Sequence, residues 1–288
     1  MDHADNLKRG EKGAWVSIFA YIILSVVKLL VAYVGSSAAL RADGLNNLTD
    51  VVASIAVLIG LKISRKPPDE DHHYGHYRAE TVASLFAAFI MTMVGFQVIV
   101  DTFSKIMTQE MTDPDMLTAW TALGGALIMY VVYRYNRSLA AKVGSSSLYA
   151  AAQDNRSDAL VSIGAFIGII GAQFGLFWLD PLAGLIVGII ICKTAWDIFV
   201  DSTHTLTDGF DKRQISRITG SISKVQGVKK VVDVKGRIHG NQEFIDVTIL
   251  VNPELNVRES HAITEQIETL LRKKHNITYA QIHIEPYE

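Results

Sequence analysis

The stretch RADGLNNLTDVVAS, residues 41–54, carries Asp43, Asn46, Asn47 and Asp50 inside a run that otherwise reads as membrane-spanning. A carboxylate at the centre of a bilayer costs roughly 2.5 to 3.5 kcal/mol even on the lenient insertion scale, so this segment gives up much of its own tendency to insert. Asn46 and Asp50 are four residues apart, which on a helix places both side chains on one face about one turn apart. The same arrangement recurs in AQDNRSDALVS, where Asp154 and Asp158 are also four apart. Two helices, each presenting such a pair, supply four oxygen-bearing groups around one point. Three carboxylates converging in low dielectric repel one another unless a cation or protons neutralise them. A divalent metal does so, and the spacing therefore reads as a metal site within the membrane rather than as a pair of helix caps.

Working outward, the 288 residues are 49% hydrophobic and 19% charged, too apolar for an ordinary soluble domain and too charged to lie wholly in lipid. Six stretches approach the ~20 residues that a spanning helix needs: Ala14 to Val34, Ala38 to Ile63, Thr81 to Ile106, Met116 to Tyr135, Leu148 to Phe174 and Pro181 to Val200. Lys8, Arg9 and Lys12 precede the first, Lys62, Arg65 and Lys66 follow the second, and Arg134, Arg137 and Lys142 follow the fourth. The positive-inside rule puts both termini in the cytoplasm, with TQEMTDPD and FGLFWLD outside. Gly164 and Gly168, and Gly184 and Gly188, are spaced for close helix packing.

Beyond Gly209 the periodicity changes. DKRQISRITGSISKV reads as an amphipathic helix, VKKVVDVKGRI and EFIDVTILVN as neighbouring strands, RESHAITEQIETLLRKKH as a second helix and AQIHIEP as a last strand. The expected architecture is an α-helical membrane protein with six transmembrane helices and a C-terminal cytosolic α+β domain of ferredoxin-like α-β-β-α-β order. The expected divisions are a cytosolic tail (1–13), a transport domain (14–208) and a metallochaperone-like cytosolic domain (209–288).

Composition also excludes. A formal net charge of −2, with no uncompensated basic stripe, argues against nucleic acid as a partner. The single cysteine, Cys192, lies in an apolar run and forms neither an intramolecular disulfide nor a thiolate cluster. No motif offers a metal with an open coordination position beside a base, so an enzyme is not expected and neither is a prosthetic group.

The residues resemble the cation diffusion facilitators, a family that exports divalent metals in exchange for protons. The resemblance runs over nearly the whole chain, from the paired ligands of the second and fifth spans to the terminal IHIEP. NNLTD and DNRSD are similar to the N-x-x-x-D and D-x-x-x-D pattern of bacterial manganese exporters, where zinc-transporting members place His or Asp and then His. Ligand chemistry agrees: zinc favours nitrogen and sulfur, whereas a carboxylate and carbonyl set suits manganese. The resemblance implies a homodimeric, multi-pass protein of a bacterial-type plasma or inner membrane. It would exchange cytosolic Mn2+ for protons through Asn46, Asp50, Asp154 and Asp158. Export of zinc, iron or cobalt, and a non-transporting metal sensor or scaffold, are the rival readings.

Three further groups follow from the resemblance or from clustering. Asp69, His72 and His76, in the loop PPDEDHHYGHYRAE, match a secondary metal site of the family. His239, His261, His283 and Glu285 are candidates for a tail-domain metal site, although Lys229 and Thr248 stand where some zinc members carry two more histidines. Arg78 and Asp208 resemble a charge pair that links the membrane and tail domains.

Overall fold

The structure is a computed structural model and describes residues 3–64, 66–108, 114–143, 146–240 and 242–288. The expected basic residue Arg65 and most of the external loop TQEMTDPD lie outside the described residues. Six long helices come first: α1 (His3–Val34), α2 (Ala38–Ser64), α3 (Ala79–Met107), α4 (Met116–Val143), α5 (Ser146–Gln173) and α6 (Leu179–Leu206). They are followed by α7 (Lys212–Ile222), β1 (Lys230–His239), β2 (Gln242–Val251), α8 (Val257–His275) and β3 (Tyr279–Pro286). The chain divides into two compact units: residues 1–56 with 86–197, and residues 57–85 with 198–288.

Continuous apolar composition, rather than one apolar stripe, sets the long helices apart. Phe19, Ile23 and Leu30 on α1, Phe86 and Phe96 on α3, and Trp120 and Leu127 on α4 all point outward. Such a surface suits hydrocarbon and not water. Among the described residues, five helices are long and apolar enough to cross a membrane. The remaining long helix, α5, has the length at 28 residues but loses hydropathy to Asp154, Arg156 and Asp158. The first helix starts at His3, so residues 3–13, expected as a tail, continue the helix of the first span.

In the first unit, α2 packs on both sides. Tyr21, Leu24, Val51, Met129 and Ala159 close a core among α1, α2, α4 and α5. Ala42, Val98, Val187 and Ile191 join α2 to α3 and α6. Three of the four paired glycines make the close approach expected of them: a Cβ at Gly168 would lie 2.5 Å from Ala183, one at Gly184 3.1 Å from the backbone of Ala38, and one at Gly188 2.9 Å from Ile99. Gly164 faces open space instead. The start of α2 is fixed from another helix. Asp180, at the head of α6, accepts from the Ala38 amide at 2.7 Å and from the Ser37 hydroxyl at 2.6 Å, which satisfies donors that a helix N-terminus leaves unpaired.

In the second unit, β1 pairs antiparallel with β2, and β2 pairs parallel with β3. Alternation follows from the strand period of two. Ile245, Val247, Ile249 and Val251 point to one face, where Ile218 and Ile222 of α7 and Ile263, Ile267 and Leu271 of α8 complete the core. Helix ends are chemically marked. Asp211 caps α7, and Asn256 with Glu259 forms a capping box on α8, which ends at Asn276 in the left-handed region.

Candidate functional site

Helix α2 places Asp43, Asn46, Asn47 and Asp50 on one face, and α5 places Asp154, Asp158 and Ser162 on another, each at helical spacing. The two faces meet. Asn46 Nδ2 donates to Asp158 Oδ1 at 3.0 Å and more weakly to Asp50 Oδ2 at 3.4 Å. Asn46 and Asp158 are buried, Asp50 is half-buried and Asp154 is exposed. Asn46, Asp50 and Asp158 are thus brought together, and Asp154 lies one turn before Asp158 on α5. An amide and three carboxylates, with no imidazole among them, offer a hard divalent cation an all-oxygen set.

Around this cluster runs a polar framework that reading the sequence missed. On one side, the Tyr21 hydroxyl of α1 donates to Asp158 Oδ2 at 2.7 Å and accepts from Asn155 Nδ2 at 2.8 Å. Asn155 Oδ1 in turn accepts from Ser17 Oγ at 3.1 Å and from Asn136 Nδ2 at 2.9 Å. On the other side, Lys28 forms an ion pair with Asp43 at 2.8 Å, both side chains 0% exposed. The Lys28 ammonium also donates to Asn47 Oδ1 and to Ser162 Oγ, each at 2.8 Å. Ser162 Oγ donates onward to Asp43 Oδ1 at 3.1 Å. Three oxygens meet the three donors of the ammonium, which is what makes a fully buried lysine tolerable. The signal was present: Ser17, Tyr21 and Lys28 lie four and seven residues apart, on one face of an apolar helix, and an ionisable residue within a span is by default functional or paired.

In the second unit, the loop before α3 gathers Asp69, His72 and His76, with one ligand atom of each lying within 4.8 Å of the others. His72 Nδ1 lies 3.0 Å from Asp69 Oδ1, and His76 Nε2 lies 3.4 Å from Asp69 Oδ2. Desolvation pushes the Asp69 carboxyl upward, but hydrogen bonds from the His72 ring and from the His72 and Asp71 amides outweigh it and hold the group below its ordinary range. Arg78 and Asp208 are brought together as an exposed ion pair at 2.5 Å.

The four tail candidates are not gathered. His239 lies at the hairpin end of β1 opposite Gln242, whereas His283 lies opposite Thr248, six residues further along β2 and so about 20 Å away at ~3.3 Å per residue. His283 shares the face of Thr248, away from the helices, and Glu285 follows on the same face at 3.5 Å. His261 belongs to the helix layer and lies 3.7 Å from Glu265. His239 instead packs against Phe244, ring centroids 4.7 Å apart, with Tyr74 edge-on at 6.4 Å. Burial, and then the cations of Arg78 and Arg237, lower its pKa below the ordinary imidazole value, against a smaller opposing effect of Asp208.

Residues 14–207 match the family described as the cation efflux transmembrane domain, and residues 210–287 match the cytoplasmic domain of cation efflux proteins. Fold and match together define a multi-pass membrane transporter of cations with a cytoplasmic C-terminal domain, not an enzyme. The chain belongs to the cation efflux family. It is 54% identical to the manganese efflux system protein MneS of Bacillus subtilis, covering 100% of this chain and 99% of that protein. It is 50% identical to the uncharacterized transporter YdbO of the same organism, over 99% of each chain. It is 30% identical to the manganese efflux system protein MneP, also of Bacillus subtilis, over 96% of each.

Proposed function

We propose that the protein exports Mn2+ from the cytosol in exchange for protons, with Asn46, Asp50, Asp154 and Asp158 as the transport site. The observation that carries this reading is the meeting of Asn46, Asp50 and Asp158 across α2 and α5 in an all-oxygen cluster. The names of two full-length relatives, both manganese efflux proteins, support it. Magnesium dehydrates reluctantly, which disfavours a cage that must strip its waters. Zinc, and to a lesser degree iron and cobalt, gain from nitrogen ligands that the cluster lacks. Protons compete with metal for the same carboxylate oxygens, so exchange follows from shared ligands.

The working unit is a homodimer in a bacterial-type plasma membrane, with both termini cytoplasmic, residues 14–208 as the transport domain and residues 209–288 as the cytosolic domain. The loop cluster of Asp69, His72 and His76 is a second, accessory metal site, supported by its converging ligand atoms. The test is initial Mn2+ flux in proteoliposomes. Asp50→Ala, Asp154→Ala and Asp158→Ala are each expected to fall to the background of protein-free vesicles while remaining folded. Parent-level flux in any one removes that residue from the site.

A further inference from the structure

Asp158 is held differently at its two oxygens. Among the described residues, Oδ1 accepts only from the Asn46 amide, a terminal group that half a turn about its last bond converts from a donor to a carbonyl ligand. Oδ2 accepts from the Tyr21 hydroxyl, and that hydroxyl has no such freedom. Its own lone pair is taken by Asn155 Nδ2, so its proton is directed to Asp158. Asn155 is fixed in turn, because its carbonyl oxygen accepts from both Ser17 and Asn136. Tyr21, Asn155, Ser17 and Asn136 are all buried. One oxygen of the carboxylate is therefore releasable and the other is locked.

We propose that Tyr21 is a specificity-determining positioning residue that favours one-oxygen over two-oxygen coordination by Asp158 and thereby discriminates against Ca2+. This rests on the reading of Asp158 as a transport ligand. Calcium takes six to eight oxygens at about 2.3 to 2.6 Å and draws on two-oxygen carboxylates to reach that number. A smaller divalent ion content with octahedral coordination has no need of the second oxygen. The hydrogen bond takes one lone pair of Oδ2 and fixes the tilt of the carboxylate, which makes the second oxygen a poorer ligand for the ion that needs more of them, at little loss to the ion that needs fewer. The residue acts through Asp158 and does not itself touch the cation.

The test uses the full-length protein in proteoliposomes and reads the Ca2+ inhibition constant against the KM for Mn2+. Tyr21→Phe keeps the ring and removes the hydroxyl, so the ratio of the two constants is expected to fall about tenfold as Ca2+ gains the second oxygen. A purely structural tyrosine would lower kcat and leave that ratio alone. Asn155→Ala, which keeps Tyr21 but removes what anchors its hydroxyl, is expected to move the ratio in the same direction by a smaller factor. It decides the matter where Tyr21→Phe does not fold. A ratio unchanged from the parent, in Tyr21→Phe or in an Asn155→Ala protein that replaces it, overturns the proposal. Asp158→Ala separates the two levels: if it transports Mn2+ normally, the site reading has failed, whereas if it is inactive and the ratio stays fixed, only the role of Tyr21 has failed.

Discussion

The membrane unit and the tail unit carry similar polar side chains and treat them in opposite ways. In the first, Lys28, Asp43, Asn47 and Ser162 are drawn into one hydrogen-bonded set and Asn46 and Asp158 into a second beside it, the six residues lying on three helices. In the second, His261 and His283 are 68% and 67% exposed, belong to different layers and do not meet. The difference is one of solvent. A polar group buried without a partner costs roughly 1 to 3 kcal/mol, and a charge costs more, so an apolar surround makes partners compulsory. A histidine at a wet surface is satisfied by water and stays where the chain happens to put it.

The sharpest way to break this comparison is to remove one member of the compulsory set. Lys28→Met leaves Asp43 charged and buried, with Asn47 and Ser162 deprived of their donor, and is expected to destabilise the protein by about 3 to 5 kcal/mol. Adding Asp43→Asn removes the stranded charge and should restore most of that loss. Equilibrium unfolding in detergent, with both variants compared in the same micelle, measures it. A Lys28→Met protein as stable as the parent would show that the pair is hydrated and that the framework does not hold the helices together.

This contrast also explains what the sequence made legible. Periodicity alone exposed the i, i+4 pairs of α2 and α5, because both partners of each pair sit on one helix. It likewise ordered the tail as α-β-β-α-β, since strand and helix periods change visibly at Gly209. The partners contributed by α1 were hidden, because Tyr21 and Lys28 reach Asp158 and Asp43 across 137 and 15 residues of chain, and nothing in local spacing encodes which faces meet. The dispersal of His239, His261 and His283 was hidden for a related reason. Strand register, set by the pairing of Thr248 with His283 and of Gln242 with His239, decides that separation.

A smaller effect is expected where ligands are not gathered. His261→Ala and His283→Ala should each keep Mn2+ flux within about twofold of the parent, since exposed substitutions away from special features are worth less than about 0.5 kcal/mol. The same proteoliposome measurement decides it. If either falls as far as Asp154→Ala, the tail histidines act together after all, and the single-chain geometry understates their importance.

The smallest effect concerns the two tail histidines that are not simply wet, His239 and His275. His239 is disfavoured as a cation by burial and then by Arg78 and Arg237, so its pKa in the folded protein lies below the ordinary 6.5. His275 is shifted the same way, by burial and then by Lys274 and Arg217. For such groups the unfolded chain binds more protons than the folded one between the two pKa values. Their contribution to stability is therefore complete above the unfolded value and is lost as pH falls below about 6.5 toward the lowered folded value. Thermal unfolding of metal-free protein, followed from about pH 7.5 down to about pH 5, should show the tail losing stability on the acid side. His239→Gln should make that decline shallower, and His239→Gln with His275→Gln shallower still, because glutamine keeps a polar side chain but cannot take up the proton. An acid slope unchanged in the double variant would mean that water reaches His239 and His275 as freely as it reaches His261 and His283, and the tail would then contain no exception to the rule that its histidines are satisfied by solvent.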